Sequence, residues 1–114
     1  DPKNKSLKKV LKIKGEKEGT NFQELFNPME NLLKKGIGTL AYRDGWNLFD
    51  QIILSHPFLD SESGYQFYKA GIFNKAYLTT PEGQFKGYPF RSYDNGGYTG
   101  GYSDHFPVVL YLEK

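Results

Sequence analysis

The chain has 114 residues, which corresponds to one small domain. Its net charge is only +2, but the first 17 residues hold seven lysines against Asp1 and Glu16. Such a basic end can lie along a polyanion or be a solvated helix face. No cysteine occurs, so disulfides and thiolate metal sites are excluded. The chain shows no transmembrane run and no signal-peptide pattern.

The first third of the chain has helical patterning. Apolar residues recur at helical spacing over 6–12, where Ser6 is a candidate N-cap. A second helix is predicted over 21–35, which Pro28 can split and Gly36 ends.

From residue 38 onward the pattern changes to strands. A short strand is predicted over 38–42, followed by a hairpin turn at Arg43-Asp44-Gly45. A longer strand is predicted over 46–55, and His56-Pro57 ends it.

The second half of the chain predicts extended structure over 67–79, a long Gly/Tyr/Pro-rich connection over 80–102 and a last strand over 104–112. The strands 46–55 and 104–112 are apolar on both faces, which is typical of strands covered on both sides. We therefore predict an α/β or α+β layered fold. Because so short a chain is not expected to supply both covers, we expect it to pair with something or to lack a part.

One carboxylate and one histidine are candidates for a hydrogen-bonded pair. Strand alternation places Asp50 on an apolar face, where a carboxylate is costly unless it is paired. An Asp–His pair fixes the imidazole tautomer and stabilises the charged ring. His105 is a better partner than His56, which precedes a proline at a strand end. The alternative is that Asp50 bonds local backbone at a bulge or at a sheet end.

Asp104 and His105 lie between a glycine-rich loop and the last strand, and binding sites favour loops held by a rigid scaffold. A Ser-Asp pair also marks turns, however, and a lone histidine is more often structural. Asp104 is compatible with an oxygen-ligated Mg²⁺, although one carboxylate is not a site. Two histidines without cysteine argue against a self-contained zinc site.

The segment 86–93 mixes Lys86 and Arg91 with aromatic residues. This composition can stack on rings and contact phosphate, or its aromatics can anchor a packed loop. Arg91 and Tyr93 are the candidate substrate contacts.

Two of these motifs resemble a known family. Residues 101–108, Gly-Tyr-Ser-Asp-His-Phe-Pro-Val, resemble the C-terminal Ser-Asp-His signature of the endonuclease/exonuclease/phosphatase superfamily, which includes DNase I and exonuclease III. Residues 46–55 are similar to the family strand in which an aspartate is followed by apolar residues and often by serine. Asp1-Pro2 followed by Ser6-Leu7 resembles what comes directly after the family's Gly-Asp-Phe-Asn motif. The resemblance covers nearly the whole chain.

The resemblance implies a four-layer α/β sandwich of the DNase I-like type, with a mostly antiparallel or mixed sheet. It also implies hydrolysis of a phosphodiester or phosphomonoester, nucleic acid included, with Mg²⁺ or Mn²⁺. His105 would act on the phosphate or its attacking water, and Asp50 would orient and charge-stabilise His105. Asp104 would help to position the metal, the nucleophile or the leaving group.

The family's other metal-binding residues lie upstream of the matched motifs. We therefore expect residues 1–114 to form a single domain or half-domain, the C-terminal part of such an enzyme, inactive without the N-terminal half. The alternative is a non-catalytic module that binds nucleic acid or sugar.

Overall fold

The computed structural model describes residues 5–17, 20–60, 62 and 64–114. Its helices and strands are short, and two 3₁₀ turns lie between strands. In chain order the elements are α1 (Ser6–Lys9), β1 (Leu25–Phe26), α2 (Met29–Lys34), β2 (Leu40–Tyr42), β3 (Gly45–Asn47), β4 (Leu54–Ser55), a 3₁₀ turn (His56–Leu59), β5 (Gln66–Ile72), a 3₁₀ turn (Ala76–Leu78), β6 (Tyr93–Asp94), β7 (Gly97–Tyr98) and β8 (Val108–Glu113).

The strands form two-stranded sheets that pair β1 with β4, β2 with β3, β5 with β8 and β6 with β7. The pairs β1–β4, β2–β3 and β6–β7 are antiparallel. This mixture of helices and antiparallel strands confirms the predicted α+β class at that level. No described helix is long and apolar enough to cross a bilayer.

The described residues divide into two compact units. The first holds the residues up to Asn31 together with Gln51–Ala70 and Leu110–Lys114, and the second holds Leu32–Asp50 and Gly71–Val109.

The first unit is organised around Phe26. In the β1–β4 pair Phe26 lies opposite Leu54, and both are buried. The Phe26 ring also meets that of Phe67 edge-on, with centroids 5.1 Å apart. Just ahead of α2, the Asn27 side chain accepts a hydrogen bond from the Met29 N–H at 2.9 Å, which satisfies an N–H at the start of the helix.

Both predicted helices were too long. Residues 25–26 form a strand and α2 begins only after Pro28, because proline lacks an N–H and disfavours helical backbone in the residue before it. The helix α1 ends at Lys9, and its N-cap residue is Lys5 instead of Ser6. The predicted stop at Gly36 is confirmed, since Gly36 follows α2 with a φ of 76°.

In the second unit, the predicted hairpin is confirmed by the β2–β3 pair. Tyr42 lies opposite Gly45, so the two loop residues are Arg43 and Asp44, with φ values of 48° and 62°. Two successive positive φ values match the right-handed twist of the flanking strands. The turn therefore starts one residue before the Asp-Gly pair.

The predicted strand over 46–55 is interrupted, because β3 ends at Asn47 and β4 begins at Leu54. Asp50 lies in the irregular segment between them. The predicted break at His56-Pro57 is confirmed, since a 3₁₀ turn starts at His56.

The long connection over 80–102 is structured in part. Backbone bonds run from Thr80 N–H to Tyr88 O and from Phe90 N–H to Leu78 O, each at 2.8 Å. The β6–β7 hairpin follows them.

The last strand, β8, begins at Val108, four residues later than predicted. Its apolar residues are less covered than we expected, since none of them is buried, and Tyr111 and Leu112 are exposed.

Gly38 provides a test of how closely the β2–β3 hairpin is packed. A Cβ atom at this buried position would lie 2.7 Å from the Asn47 carbonyl oxygen. We expect Gly38→Ala to lower the free energy of unfolding by about 1–3 kcal/mol, as overpacking does. Urea denaturation measures this. The control is Gly71→Ala, whose new Cβ would make an ordinary 3.7 Å contact with Val109. Equal stability of the two variants would contradict the prediction.

Candidate active site

The centre of the candidate site is a hydrogen-bonded carboxylate–imidazole pair. His105 Nδ1 lies 2.7 Å from Asp50 Oδ2, across 55 residues of sequence. The two side chains are 33% and 39% exposed, so both are accessible from solvent. The structure therefore brings together the two residues that the sequence offered as one of two alternatives for Asp50.

The backbone around His105 is held on both sides. The His105 N–H donates to Ser103 Oγ at 3.0 Å, which is a local serine turn. The next N–H, of Phe106, donates to the Thr39 carbonyl at 2.8 Å. The buried Phe106 ring stacks on Trp46, with centroids 6.0 Å apart. These contacts fix the backbone from which the imidazole reaches Asp50.

The electrostatic setting keeps Asp50 ionised. Partial burial acts to raise the pKa of Asp50, but the neighbouring Thr39 hydroxyl and the His105 ring outweigh burial and hold the pKa below its ordinary value of 3.8. At neutral pH the ionised carboxylate can only accept in this hydrogen bond, so His105 Nδ1 must be the donor and carry the proton. Among the described residues Nε2 has no hydrogen-bond partner, so it is the nitrogen left for chemistry.

The pair opens on a pocket of about 260 Å³ with largely apolar walls. The residues that line it are Asp50, Leu78, Tyr102, Ser103, His105, Phe106, Pro107 and Val108. Two lining residues also have aromatic neighbours, since the ring centroids of Phe49 and His105 lie 6.3 Å apart and those of Tyr77 and Tyr102 lie 6.0 Å apart. An imidazole fixed in one tautomer at such a pocket can accept or donate a proton through Nε2.

Asp104, the third predicted residue, has an exposed side chain next to His105. Within the described ranges, no three His, Cys, Asp or Glu side chains lie close enough together to hold a metal ion. The described residues thus do not make up a cation site by themselves, and a role for Asp104 as a ligand stays a prediction.

Arg91 and Tyr93 do not line the pocket. Arg91 Nη2 donates to the Ala41 carbonyl at 3.4 Å, and the Tyr93 ring lies 5.4 Å from that of Tyr98 in the β6–β7 hairpin. Their predicted contact with substrate remains untested. His56, the other histidine, packs edge-on against Phe22 at 5.8 Å.

Sequence reasoning missed Thr39. It is fully buried, and its backbone bonds to both Asn47 and Phe106. Only the glycine before it signalled a close approach of two backbones. The sequence motif included Ser103 but did not predict its hydrogen bond to the His105 N–H. A serine hydroxyl that accepts from the N–H two residues later is a known turn signal.

Comparison with known proteins supports the class that these features indicate. A profile of the endonuclease/exonuclease/phosphatase family matches residues 1–114. No curated protein and no solved structure matches the chain.

The chain therefore belongs to the endonuclease/exonuclease/phosphatase family. This family is generally hydrolytic, and phosphate esters and nucleic acids are the substrates that fit it. Its members typically use divalent cations.

The lowered pKa of Asp50 predicts how its contribution to stability depends on pH. Because the folded pKa lies below 3.8, the stabilisation by the ionised carboxylate is complete above that value and is lost as pH falls through the folded pKa. We expect the unfolding free energies of wild type and Asp50→Asn to differ at pH 6 and to converge in this acid range. Urea denaturation at a series of pH values measures the convergence.

The control for this prediction is Glu113→Gln, which removes an exposed carboxylate at the end of β8. It should follow wild type through the same range. A gap between wild type and Asp50→Asn that stays constant down to pH 2 would contradict the prediction.

Proposed function

We propose that the chain forms part of a metal-dependent phosphoesterase that hydrolyses a phosphodiester or phosphomonoester. The observation that carries the proposal is the 2.7 Å bond between His105 Nδ1 and Asp50 Oδ2 at the mouth of a pocket. The family match supports the same reaction class independently.

In the proposed reaction His105 handles the proton. With Nδ1–H donated to Asp50, the lone pair of Nε2 can accept a proton from water as that water attacks phosphorus. The positive charge that then develops on the ring is stabilised by the ionised Asp50. In the same arrangement a protonated ring can instead donate to a phosphate or leaving-group oxygen.

The pocket walls support this role for His105. Leu78, Phe106, Pro107 and Val108 supply apolar surface beside the polar pair. The polar pair therefore lies beside apolar surface and stays accessible from solvent, as a phosphate group needs. Arg91 and Tyr93 remain the proposed substrate contacts from the neighbouring loop.

We propose Mg²⁺ or Mn²⁺ as the cation, with Asp104 as the residue of this chain that contributes to its site. The described residues do not supply a complete ligand set. The remaining ligands would then come from residues outside this chain, which is what the resemblance to the family implies.

We also propose that the complete enzyme is a four-layer DNase I-like sandwich, in which this chain is the C-terminal half and is inactive alone. The exposed apolar side chains Tyr111 (47%) and Leu112 (40%) on β8 support this, since apolar strand faces are normally covered.

The role of His105 is tested in the full-length protein that contains this chain. We expect His105→Ala to lower the rate of phosphodiester hydrolysis by at least about 10²-fold, as the loss of an acid–base group does. Hydrolysis of bis(p-nitrophenyl) phosphate with Mg²⁺ or Mn²⁺ provides the assay. The matched control is His56→Ala, which removes the histidine that packs on Phe22 and does not line the pocket, so this variant should keep its activity. Full activity of the His105→Ala variant would overturn the assignment.

A second candidate function, a non-catalytic nucleic-acid-binding module, is favoured by the basic segment. Lys8, Lys12 and Lys14 line a pocket of about 300 Å³. Glu30 and Glu24 pair with Lys8 and Lys14 at 2.6 and 3.5 Å, whereas Lys12 has no ion pair among the described residues. A phosphate could therefore be received by Lys12 without breaking an ion pair.

This candidate predicts a salt-dependent affinity for single-stranded DNA. Lys12→Ala should weaken binding and reduce the slope of log affinity against log salt by about 1, because one phosphate contact is lost. Lys35→Ala, at an exposed lysine just after α2, is the control and should change neither. Unchanged DNA binding in the Asp50→Asn and His105→Ala variants would favour a separate binding function. Undetectable DNA binding at low salt would eliminate this candidate function.

A further inference from the structure

We propose that Thr39 is a positioning residue whose hydroxyl donates to the Asp50 carboxylate and so holds that carboxylate towards His105. Its significance for catalysis rests on the proposed function. The geometric assignment itself does not, because it concerns only how the Asp50–His105 pair is kept in place.

The first argument is the state of the Thr39 hydroxyl. Thr39 is 0% exposed, and its Oγ1 is buried with no hydrogen bond of good geometry to any described atom. Leaving a buried hydroxyl unsatisfied is unfavourable, so a polar group should lie near it. Thr20 shows the ordinary arrangement: it is also buried, but its Oγ1 donates to the Glu16 carbonyl at 2.8 Å.

The second argument is the backbone of Thr39. Its N–H donates at 2.9 Å to the carbonyl of Asn47, the residue three positions before Asp50. Its carbonyl accepts from the N–H of Phe106, the residue next to His105, at 2.8 Å. The backbone of Thr39 thus bonds to both of the chain segments that carry the pair.

The residue before Thr39 has a related constraint. A Cβ at Gly38 would come within 2.7 Å of the Asn47 carbonyl oxygen and 3.0 Å of the Asn47 nitrogen. Only glycine lets the chain ahead of β2 approach Asn47 this closely. Gly38 therefore allows the close approach to the Asn47 backbone, and Thr39 supplies the hydroxyl that we assign to the Asp50 carboxylate.

The electrostatics of Asp50 agree with this placement. The Thr39 hydroxyl acts to lower the pKa of Asp50, as the His105 ring also does. A donor that favours the charged form of Asp50 also favours the state in which the Asp50 carboxylate accepts a hydrogen bond from His105 Nδ1. The hydroxyl would thereby act on the tautomer of His105 without touching a substrate.

The test compares two pairs of variants in the 114-residue chain, so it needs no enzymatic activity. Thr39→Val removes the hydroxyl and keeps the shape, whereas Thr39→Ser keeps the hydroxyl. The readout is the low-field Nδ1–H proton resonance of His105 in the ¹⁵N-labelled chain, which reports the bond to Asp50. We expect Thr39→Val to shift this resonance upfield and to raise the pKa of Asp50 measured from its ¹³C carboxyl signal, while Thr39→Ser preserves both.

If Thr39→Val does not fold, Thr39→Ser and Thr39→Ala form the second pair, because both lack the methyl group and only serine has the hydroxyl. Thr20→Val is the control, since it removes a buried hydroxyl far along the chain and should leave the His105 resonance unchanged. An unchanged resonance in Thr39→Val, or equal resonances in the serine and alanine variants, would overturn the proposal.

In the full-length protein the same variants separate this inference from the proposed function. Thr39→Val should lower phosphodiester hydrolysis on the order of 10-fold, as changes to an orienting partner do, and Thr39→Ser should restore it. An upfield shift of the resonance in Thr39→Val, in a full-length protein that does not hydrolyse phosphate esters, would support the positioning role and reject the proposed function. Full activity together with an unchanged resonance would reject the positioning role alone.

Discussion

The hydrogen bond between Asp50 and His105 is the constraint on which the site depends. A carboxylate in a partly apolar setting needs a donor, and an imidazole needs a partner that selects one tautomer. Each residue meets the need of the other across 2.7 Å. The result is an imidazole whose Nδ1 is bonded to Asp50, while Nε2 has no hydrogen-bond partner among the described residues and can exchange a proton.

The rest of the second unit keeps this bond in place. The β2–β3 hairpin carries Thr39 at its start and Trp46 on its second strand, and Phe106 bonds to the first and stacks on the second. The irregular segment after β3 also has a use, because a carboxylate in a regular strand would have to follow the alternation of that strand. Outside the ladder, Asp50 can turn towards His105. The interruption of the predicted strand is therefore part of how the site is formed.

Local chemistry explains which predictions succeeded. The hairpin at Arg43-Asp44, the helix stop at Gly36 and the break at His56-Pro57 all depend on residues whose own backbone preferences decide the outcome. The helix predicted over 21–35 failed because its periodicity fitted a helix while Phe26 was placed in a strand opposite Leu54. Periodicity indicates which residues can be buried on one face, but it does not indicate which other segment covers that face. That depends on the tertiary fold.

The sequence by itself determined the family, the α+β class and the candidate pair Asp50 and His105, because motif residues, turn residues and an ionisable group on an apolar run are all local features. Only the tertiary structure decided that Asp50 bonds His105 and that Arg91 bonds Ala41. It also decided that the backbone of Thr39 bonds to Asn47 and to Phe106. The physical reason is separation along the chain. Contacts between residues separated by 50 or more positions depend on how distant backbone segments pack together. The identity of a single residue does not predict that packing.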